Sequence, residues 1–195
     1  MGIGNRGIDY SGKVPLADLS PDLIISSFLE IDFRAHAAAG RDVLICDMDN
    51  TVVDGCSDEI YSESLASIQA ARHHRFVRQL GICSNIQVPW PPAYFRVKRC
   101  AAKLGADDSR AAIWPVAKPD PYPLFVLMKR MGVDPSRVIY IGDQVKNDIL
   151  TARRAGVKVI LRYPAFGADP WYRHKKRERE RQVIQTWLGP ATILA

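Results

Sequence analysis

Hydrophobic and polar positions alternate along the chain between short apolar runs and longer amphipathic runs. The short runs are rich in β-branched residues and predict five strands, over 43–46, 80–83, 112–114, 138–141 and 158–161. The longer runs have helical spacing and predict helices over 62–79, 93–104, 121–131 and about 146–155. Strands that are apolar throughout are typical of a sheet covered by helices on both faces. The pattern therefore predicts an α/β fold, a Rossmann-like doubly wound parallel sheet of about five strands.

Two further helices flank this predicted core, an N-terminal one over 21–39 and a basic one over 171–188. We therefore divide the chain into an N-terminal segment and helix that packs on the core (1–40), the α/β core (41–165) and a basic aromatic C-terminal helix (166–195). Asp47 and Ser84 are 37 positions apart, and Ser84 and Lys118 are 34 apart. One helix and one strand use most of each interval, so we expect no sizeable cap domain.

The composition is that of an ordinary globular domain, with 195 residues of which 47% are hydrophobic and 25% charged. The longest uncharged run, 79–95, contains three prolines, so it cannot supply the roughly 20 apolar residues of a membrane-spanning helix. The N-terminus has no secretory signal pattern, and we expect a soluble cytoplasmic protein. The cysteines form no CxxC pair and no zinc-ligand spacing, so we expect free thiols at Cys46, Cys56, Cys83 and Cys100.

Positive charge is concentrated near the C-terminus. The formal net charge is +6, and residues 173–181 hold six Lys/Arg against Glu178 and Glu180, a net +4 that leaves +2 for the remainder. Trp171, Tyr172 and Trp187 lie in or beside this run. Such a run is most often a solvated helix, but aromatics beside clustered cations also fit peripheral contact with an anionic membrane, here at its inner face. Nucleic acid is a less favoured partner.

Polar side chains follow four of the predicted strands, at the edge of the sheet where ligands bind in open α/β folds. The first strand runs into Asp47-Met48-Asp49-Asn50-Thr51 and the second into Ser84-Asn85. Lys118 follows the third strand, and Asp143 and Asp148 follow the fourth. Each aspartate could alternatively cap a helix or form a turn, Asp148 most simply of all.

The charges of this set point to a metal-assisted phosphate site. Its four carboxylates and one lysine sum to minus three, which would repel a phosphate unless a divalent cation were bound. Oxygen-only ligands favour Mg²⁺ over zinc. We therefore predict Mg²⁺ as the cofactor and a phosphorylated molecule as the substrate.

The segments DMDNTVV, ICSN, AKP and IGDQVKND, in this order over roughly 43–161, resemble the four motifs of the haloacid dehalogenase superfamily of phosphatases. The DxDNT form is similar to subclass IIIA. The GDQ with the nearby Asp148, the KP motif and the basic aromatic C-terminus resemble the phosphatidylglycerophosphate phosphatase branch. The resemblance implies Mg²⁺-dependent hydrolysis of a phosphate monoester, on phosphatidylglycerophosphate or a similar anionic phospholipid.

The resemblance also implies roles for individual residues. Asp47 would be the nucleophile that forms an aspartyl-phosphate, and Asp49 would protonate the leaving oxygen and then activate water. Thr51 and Ser84 would hydrogen-bond the nucleophile's surroundings and the phosphoryl oxygens, while Lys118 would neutralise charge on Asp47 and on phosphate.

The remaining implied roles concern substrate and metal. Asn50 and Asn85 would join Ser84 and Lys118 in binding the substrate. Asp143 and Asp148 would hold Mg²⁺, with the Asp47 carboxylate and the Asp49 backbone carbonyl completing its ligands.

Two features leave the substrate open. Residues 86–95 are proline-rich and aromatic where the lipid phosphatase branch would have a polar, basic helix start. Without a cap, the site excludes water poorly unless the substrate or a partner chain covers it, which favours large or surface-borne phosphates. The open site also permits the same chemistry on a nucleic-acid end or on a soluble monophosphate, and these substrates are an alternative to the lipid. Another alternative is a non-catalytic, receiver-like module that keeps a phosphoaspartate as a signal. Asp49 argues against it, because a carboxylate at this position would make the phosphoaspartate short-lived. The GxGxxG spelled by residues 2–7 follows no strand and is not a dinucleotide site.

Overall fold

The computed structural model of the protein describes residues 20–55, 57–86, 91–113, 115–163 and 174–188. Within these, six strands form one parallel sheet in the order β1-β6-β5-β2-β3-β4. The strands are β1 (Leu23–Ile25), β2 (Val43–Cys46), β3 (Gln79–Asn85), β4 (Asp108–Ala112), β5 (Val138–Gly142) and β6 (Lys158–Arg162). The predicted α/β fold with a parallel sheet is confirmed.

Helices occupy the connections between the strands. They are α1 (Phe33–Ala38), α2 (Ser62–His73), α3 (Pro91–Leu104), α4 (Tyr122–Met131), α5 (Leu150–Ala155) and α6 (His174–Leu188). Two short 3-10 turns, Phe28–Glu30 and Pro135–Arg137, and one π-helical turn, Val145–Ile149, complete the described elements. None of these helices has the length and apolar character needed to cross a bilayer. The crossovers from β2 to β3 and from β3 to β4 carry α2 and α3 respectively, as expected without a large cap.

The hydrophobic core lies in two layers, one on each face of the sheet. Alternate residues of β2 enter different layers, with Leu44 in one and Ile45 in the other, and both are fully buried. The first layer is completed from α2 and α3, by Ile68, Val97 and Leu104 among others. The second is completed from α4, α5 and α6, by Leu124, Ala152 and Ile184 among others. The double cover explains why β2, at the centre of the sheet, is apolar at every position.

The single helix predicted over 21–39 is wrong. This segment forms β1, a 3-10 turn and the short α1. The backbone N–H of Asp22 donates to Val159 O and its carboxylate accepts from Val159 N, both at 2.8 Å, and this pairing directs the chain into the sheet beside β6. Ser27 and Asp32 then each cap a new short helix. Polar side chains that bond nearby backbone groups therefore override the apolar spacing, and the sheet has six strands instead of about five.

Several other predicted boundaries also move. β3 spans Gln79–Asn85 instead of 80–83. β4 is Asp108–Ala112 instead of 112–114, because it is the edge strand beside β3 in the described sheet, and an edge strand tolerates polar residues. α2 ends at His73 instead of 79, since Arg75 adopts a left-handed φ of 59° and the chain turns into β3. The helix predicted over 146–155 begins as the π-helical turn.

Several predictions fall wholly or partly outside the described residues. These are the start of the basic helix with Trp171 and Tyr172, the sequence at 2–7, Cys56, Trp114, and residues 87–90 of the proline-rich segment. The described part of the basic helix packs on the core through the buried Ile184. The domain boundaries stay a prediction.

A buried arginine ties the sheet to the loop after β2. Arg162, at the end of β6, is fully buried, and burial lowers the pKa of its guanidinium. It forms an ion pair with Glu63 of α2, donates to the carbonyl oxygen of Thr51 and lies 4.8 Å from the ring of Tyr61. These contacts join β6, α2 and the segment that follows β2. Glu63 offsets the cost of burying the guanidinium.

Glu63→Gln should therefore destabilise the fold while nearly preserving the shape of the side chain. We expect a loss of about 3 kcal/mol in the free energy of unfolding, because an unpaired buried charge remains. Urea unfolding followed by circular dichroism measures it. The matched control is Glu59→Gln, at an exposed position on the same approach to α2, which should stay within about 0.5 kcal/mol of the wild type. Equal unfolding midpoints for the two variants would contradict this role of Arg162.

Candidate active site

The site is built around the ammonium group of Lys118. Its Nζ lies 2.5 Å from Asp47 Oδ1, 2.6 Å from Asp148 Oδ1 and 2.9 Å from the Tyr140 hydroxyl. Only 2% of the lysine side chain is exposed. Its three N–H donors thus each have an acceptor, and the Tyr140 hydroxyl donates onward to Asp148 Oδ1 at 2.9 Å. Lys118 therefore links two buried carboxylates in one hydrogen-bonded network.

The topology of the sheet explains why these groups meet. The chain moves outward from β2 through β3 to β4 and then returns to the opposite side of β2 as β5. Ligands bind where the direction of winding reverses in this way, at the carboxyl ends of the strands. Asp47 follows β2 directly, and its N–H donates to Ile141 O of β5 at 2.8 Å. Asp143 follows β5, so both side chains lie at the switch point.

Asp148 reaches the site because Gly142 has no side chain. A Cβ at Gly142 would lie 2.3 Å from Asp148 Cγ, closer than any real contact. The carboxylate of Asp148 is held there by the N–H of Gln144, which donates to its Oδ2 at 2.9 Å. The glycine of the IGDQVKND segment is therefore required for the approach of the aspartate six positions later.

The side chain of Asn85 holds the backbone of Lys118 in position. Asn85 Nδ2 donates to the carbonyl oxygen of Lys118 at 3.0 Å, and the N–H of Lys118 donates to Asn85 Oδ1 at 2.9 Å. The amide side chain, predicted to bind substrate, is thus engaged with the lysine. It fixes the segment after β4 against the end of β3.

Three of the predicted metal ligands lie together. Carboxylate oxygens of Asp47, Asp143 and Asp148 all lie within 4.8 Å of one another, and the three residues are buried. With Lys118 they sum to a net charge of minus two, that is three carboxylates against one ammonium. Burying such charge is unfavourable unless a cation compensates it. The oxygen donors and their spacing fit a hard divalent ion such as Mg²⁺, whereas a contribution from the Asp49 carbonyl stays a prediction.

Protonation in this cluster follows from burial and from neighbouring charges. Burial raises the pKa of Asp47 well above its usual range, Lys118 opposes the rise, and Asp148 and Asp143 add to it. For Lys118, burial alone would lower the pKa, but Asp148 and Asp47 outweigh it and raise the pKa. Burial also raises the pKa of Tyr140, which stays a neutral hydroxyl. The lysine is therefore a fixed positive charge facing the carboxylate predicted to be the nucleophile.

The predicted general acid, Asp49, lies at the edge of this cluster, with 25% of its side chain exposed. Its Oδ1 accepts from Arg96 Nη1 of α3 at 2.5 Å. Arg96 was missed in the sequence, since nothing in the helical pattern of α3 relates one basic residue to a carboxylate 47 positions earlier. Tyr140 was missed as well, although a hydroxyl-bearing residue inside the apolar run VIYIG is a signal that could have been used.

The remaining predicted residues lie close by. Asn50 has a left-handed φ of 58°, and its Oδ1 accepts from the N–H of Gly55 at 3.1 Å, so it shapes the loop. Ser84 is buried near the end of β3. Thr51 is buried too, and its Oγ1 has no hydrogen-bond partner within the described part of the chain. Roles for these side chains in catalysis or substrate binding stay predictions.

Sequence comparison relates the chain to known hydrolases. Residues 56–156 match the haloacid dehalogenase-like hydrolase family. An N-acetylmuramic acid 6-phosphate phosphatase of Pseudomonas aeruginosa is 44% identical over 67 residues, which cover 31% of this chain and 29% of that protein. A phosphoglycolate phosphatase of Haemophilus influenzae is 44% identical over 46 residues, covering 24% of this chain and 20% of the relative. The match thus spans less than a third of either curated relative.

Structure comparison supports the fold. The chain resembles the crystal structure of an uncharacterized protein from Listeria monocytogenes serotype 4b with a TM-score of 0.52 and 18% sequence identity. The superposition covers 66% of this chain and 82% of the other. At this identity the likeness concerns the fold alone.

Binding of Mg²⁺ to the purified protein tests the cluster independently of any reaction. We expect isothermal titration calorimetry to detect one site. We expect it to be lost in Asp148→Asn and weakened about tenfold or more in Gly142→Ala, because the added Cβ displaces the Asp148 carboxylate. The matched control is Asp134→Asn, because Asp134 is an exposed aspartate. This variant should bind Mg²⁺ with the affinity of the wild type. Wild-type affinity in Gly142→Ala, or no binding by the wild type, would contradict this metal site.

Proposed function

We propose that this chain, which belongs to the haloacid dehalogenase-like hydrolase family, hydrolyses phosphate monoesters through an aspartyl-phosphate formed on Asp47. The observation that supports this most directly is the buried ammonium of Lys118, 2.5 Å from Asp47 Oδ1. A carboxylate nucleophile needs a fixed positive charge beside it so that an anionic phosphoryl group can approach. Lys118 supplies that charge without reorganisation, since Asp148 and Tyr140 already hold it in place.

The proposed reaction has two steps. An oxygen of the Asp47 carboxylate attacks phosphorus in line, the bond between phosphorus and the ester oxygen breaks, and Asp49 gives its proton to that leaving oxygen. Water then attacks phosphorus, Asp49 takes a proton from the water, and the bond between phosphorus and Asp47 breaks. Inorganic phosphate leaves, and the Asp47 carboxylate and the protonated Asp49 are restored.

A bound metal ion and the neighbouring polar groups would support these steps. Mg²⁺ held by Asp47, Asp143 and Asp148 would supply positive charge to the phosphoryl oxygens. Thr51 brings to the same region a hydroxyl with no partner among the described residues, and a phosphoryl oxygen would give it one.

Asp47→Asn tests the mechanism. We expect Mg²⁺-dependent phosphate release from p-nitrophenyl phosphate to fall roughly a thousandfold or more, because the nucleophile is removed. Asp134→Asn, an exposed matched substitution, should keep wild-type turnover. Unchanged thermal melting of both proteins would show that the fold is intact. Turnover retained in Asp47→Asn would contradict the mechanism, and a long-lived phosphoaspartate without release would favour a signalling module instead.

For the substrate we propose an anionic phospholipid of the phosphatidylglycerophosphate kind, met at the inner face of a membrane. Two features support this. Residues 173–181 carry a net charge of +4, which suits an anionic surface. The crossovers around the site carry the single helices α2 and α3, which leaves the strand ends open to a large substrate. The curated relatives are named for a sugar phosphate and for phosphoglycolate, so a soluble monophosphate is the second candidate.

A substrate panel separates the two candidates. We compare phosphatidylglycerophosphate in mixed micelles with soluble phosphoglycolate and N-acetylmuramic acid 6-phosphate. If the lipid is the substrate, replacing Arg173, Lys175, Lys176 and Arg177 by glutamine should lower kcat/KM for the micelles by up to about a thousandfold, at about 1 kcal/mol for each charge. It should leave the soluble esters unchanged.

The matched control removes four exposed cations elsewhere and should leave micelle turnover unchanged, through R34Q, R75Q, K98Q and K129Q. Preference for a soluble ester in the wild type would discard the lipid and keep the chemistry. If both quadruple variants lowered micelle turnover equally, the effect would come from the overall charge of the protein and not from the basic segment.

A further inference from the structure

We propose that Arg96 is a positioning residue that holds the general acid Asp49 and determines which of its two oxygens faces the leaving group. This inference rests on the proposed function. Arg96 lies on α3, in the crossover that follows β3, whereas Asp49 follows β2. The contact therefore joins two separate crossovers, and the position of the acid depends on both.

Arg96 organises one loop, which we call the acid loop and define as residues 47–55 and 57–61. Besides its 2.5 Å contact with Asp49, Arg96 Nε donates to Asp58 Oδ1 at 3.0 Å. Its Nη2 donates to the carbonyl oxygens of Asp54 and Ser57, at 3.2 Å and 2.5 Å. All four acceptors belong to the acid loop. Arg96 therefore holds the acid loop at Asp54, Ser57 and Asp58 as well as at the acid itself.

The donor count separates positioning from substrate binding. A guanidinium group has five N–H donors in a rigid plane, and Arg96 uses four of them inside the acid loop. Its side chain is 22% exposed, less than half the 53% of Arg99, one turn further along α3. An arginine that recognised a phosphate or carboxylate of the substrate would need a free pair of parallel donors. Arg96 presents no such pair, so its role is to orient Asp49.

The geometry of the ion pair distinguishes the two oxygens of the Asp49 carboxylate. Asp49 Oδ1 accepts from Arg96, and no hydrogen bond within the described part of the chain reaches Asp49 Oδ2. Arg96 thus engages Oδ1 and leaves Oδ2 as the oxygen that faces the leaving group.

The dependence on the leaving group tests this role. p-Nitrophenolate leaves without protonation, whereas the alkoxide of glycerol 2-phosphate needs a proton from Asp49. We expect Arg96→Gln to lower kcat/KM for glycerol 2-phosphate by about a hundredfold, because kcat/KM reports the step in which Asp49 protonates the leaving oxygen. For p-nitrophenyl phosphate the loss in kcat/KM should be at most a few-fold, whereas kcat can fall for either ester because Asp49 also activates the water of the second step. Arg96→Lys keeps one donor toward Asp49 but not the planar fork, so its loss should be intermediate.

Arg99→Gln is the matched control. Arg99 lies on the same helix and bonds Asp58 at 2.6 Å, but it makes no contact with Asp49. Its removal should change kcat for either ester by less than about twofold. In an Asp49→Asn background, Arg96→Gln should have almost no further effect, because the two residues act as one unit.

Three outcomes decide between the explanations. An equal loss of kcat/KM on both esters in Arg96→Gln, or the same selective loss in Arg99→Gln, would overturn the positioning role and leave Arg96 as a support for the loop. A further large loss in the Asp49→Asn background would overturn it as well. A wild type no faster than Asp47→Asn on p-nitrophenyl phosphate would overturn the proposed function, and this inference with it.

Discussion

The pairing of a buried ammonium with buried carboxylates is the interaction on which the site depends. Lys118 would not be stable in the interior without Asp47 and Asp148, and the two carboxylates could not lie so close without Lys118. Each partner offsets the cost of burying the other. The carboxylates already outnumber the lysine by two to one, and Asp143 adds a third, so the balance is incomplete and a bound cation would complete it. The demand for a metal thus follows from the same electrostatics that hold the side chains.

The fold supplies the positions that this pairing requires. Asp47 and Asp143 come from strands that lie side by side, while Lys118 comes from the connection after the edge strand. Asn85 brings the lysine inward from that edge through two backbone hydrogen bonds. The absence of a side chain at Gly142 admits Asp148. Local backbone features therefore decide the geometry as much as the charged residues do.

Much of the sheet and of the candidate site could be predicted from the sequence, for identifiable reasons. The central strands contain short runs of apolar residues, so their positions in the chain and their parallel arrangement could be predicted, and polar residues at the ends of these runs had to share one edge. Asp47, Asp143, Asp148 and Lys118 do meet there. The N-terminal segment could not be predicted in this way, because capping by Ser27 and Asp32 and the pairing of β1 with β6 are not expressed in apolar spacing. The role of Arg96 could not be predicted for a related reason, since a contact across 47 positions leaves no local pattern in the sequence.

The link between Arg96 and Asp49 has a consequence for protein engineering. Loops at the ends of strands are commonly treated as exchangeable modules on a constant scaffold. Here the acid loop carries the proposed nucleophile and acid, but the group that fixes the acid belongs to α3, in the next crossover. A graft of the acid loop alone into another sheet would carry the reactive groups without their alignment. The smallest transferable unit is the loop together with the first two turns of α3, and recombination between these two segments should yield folded chimeras with a misaligned acid.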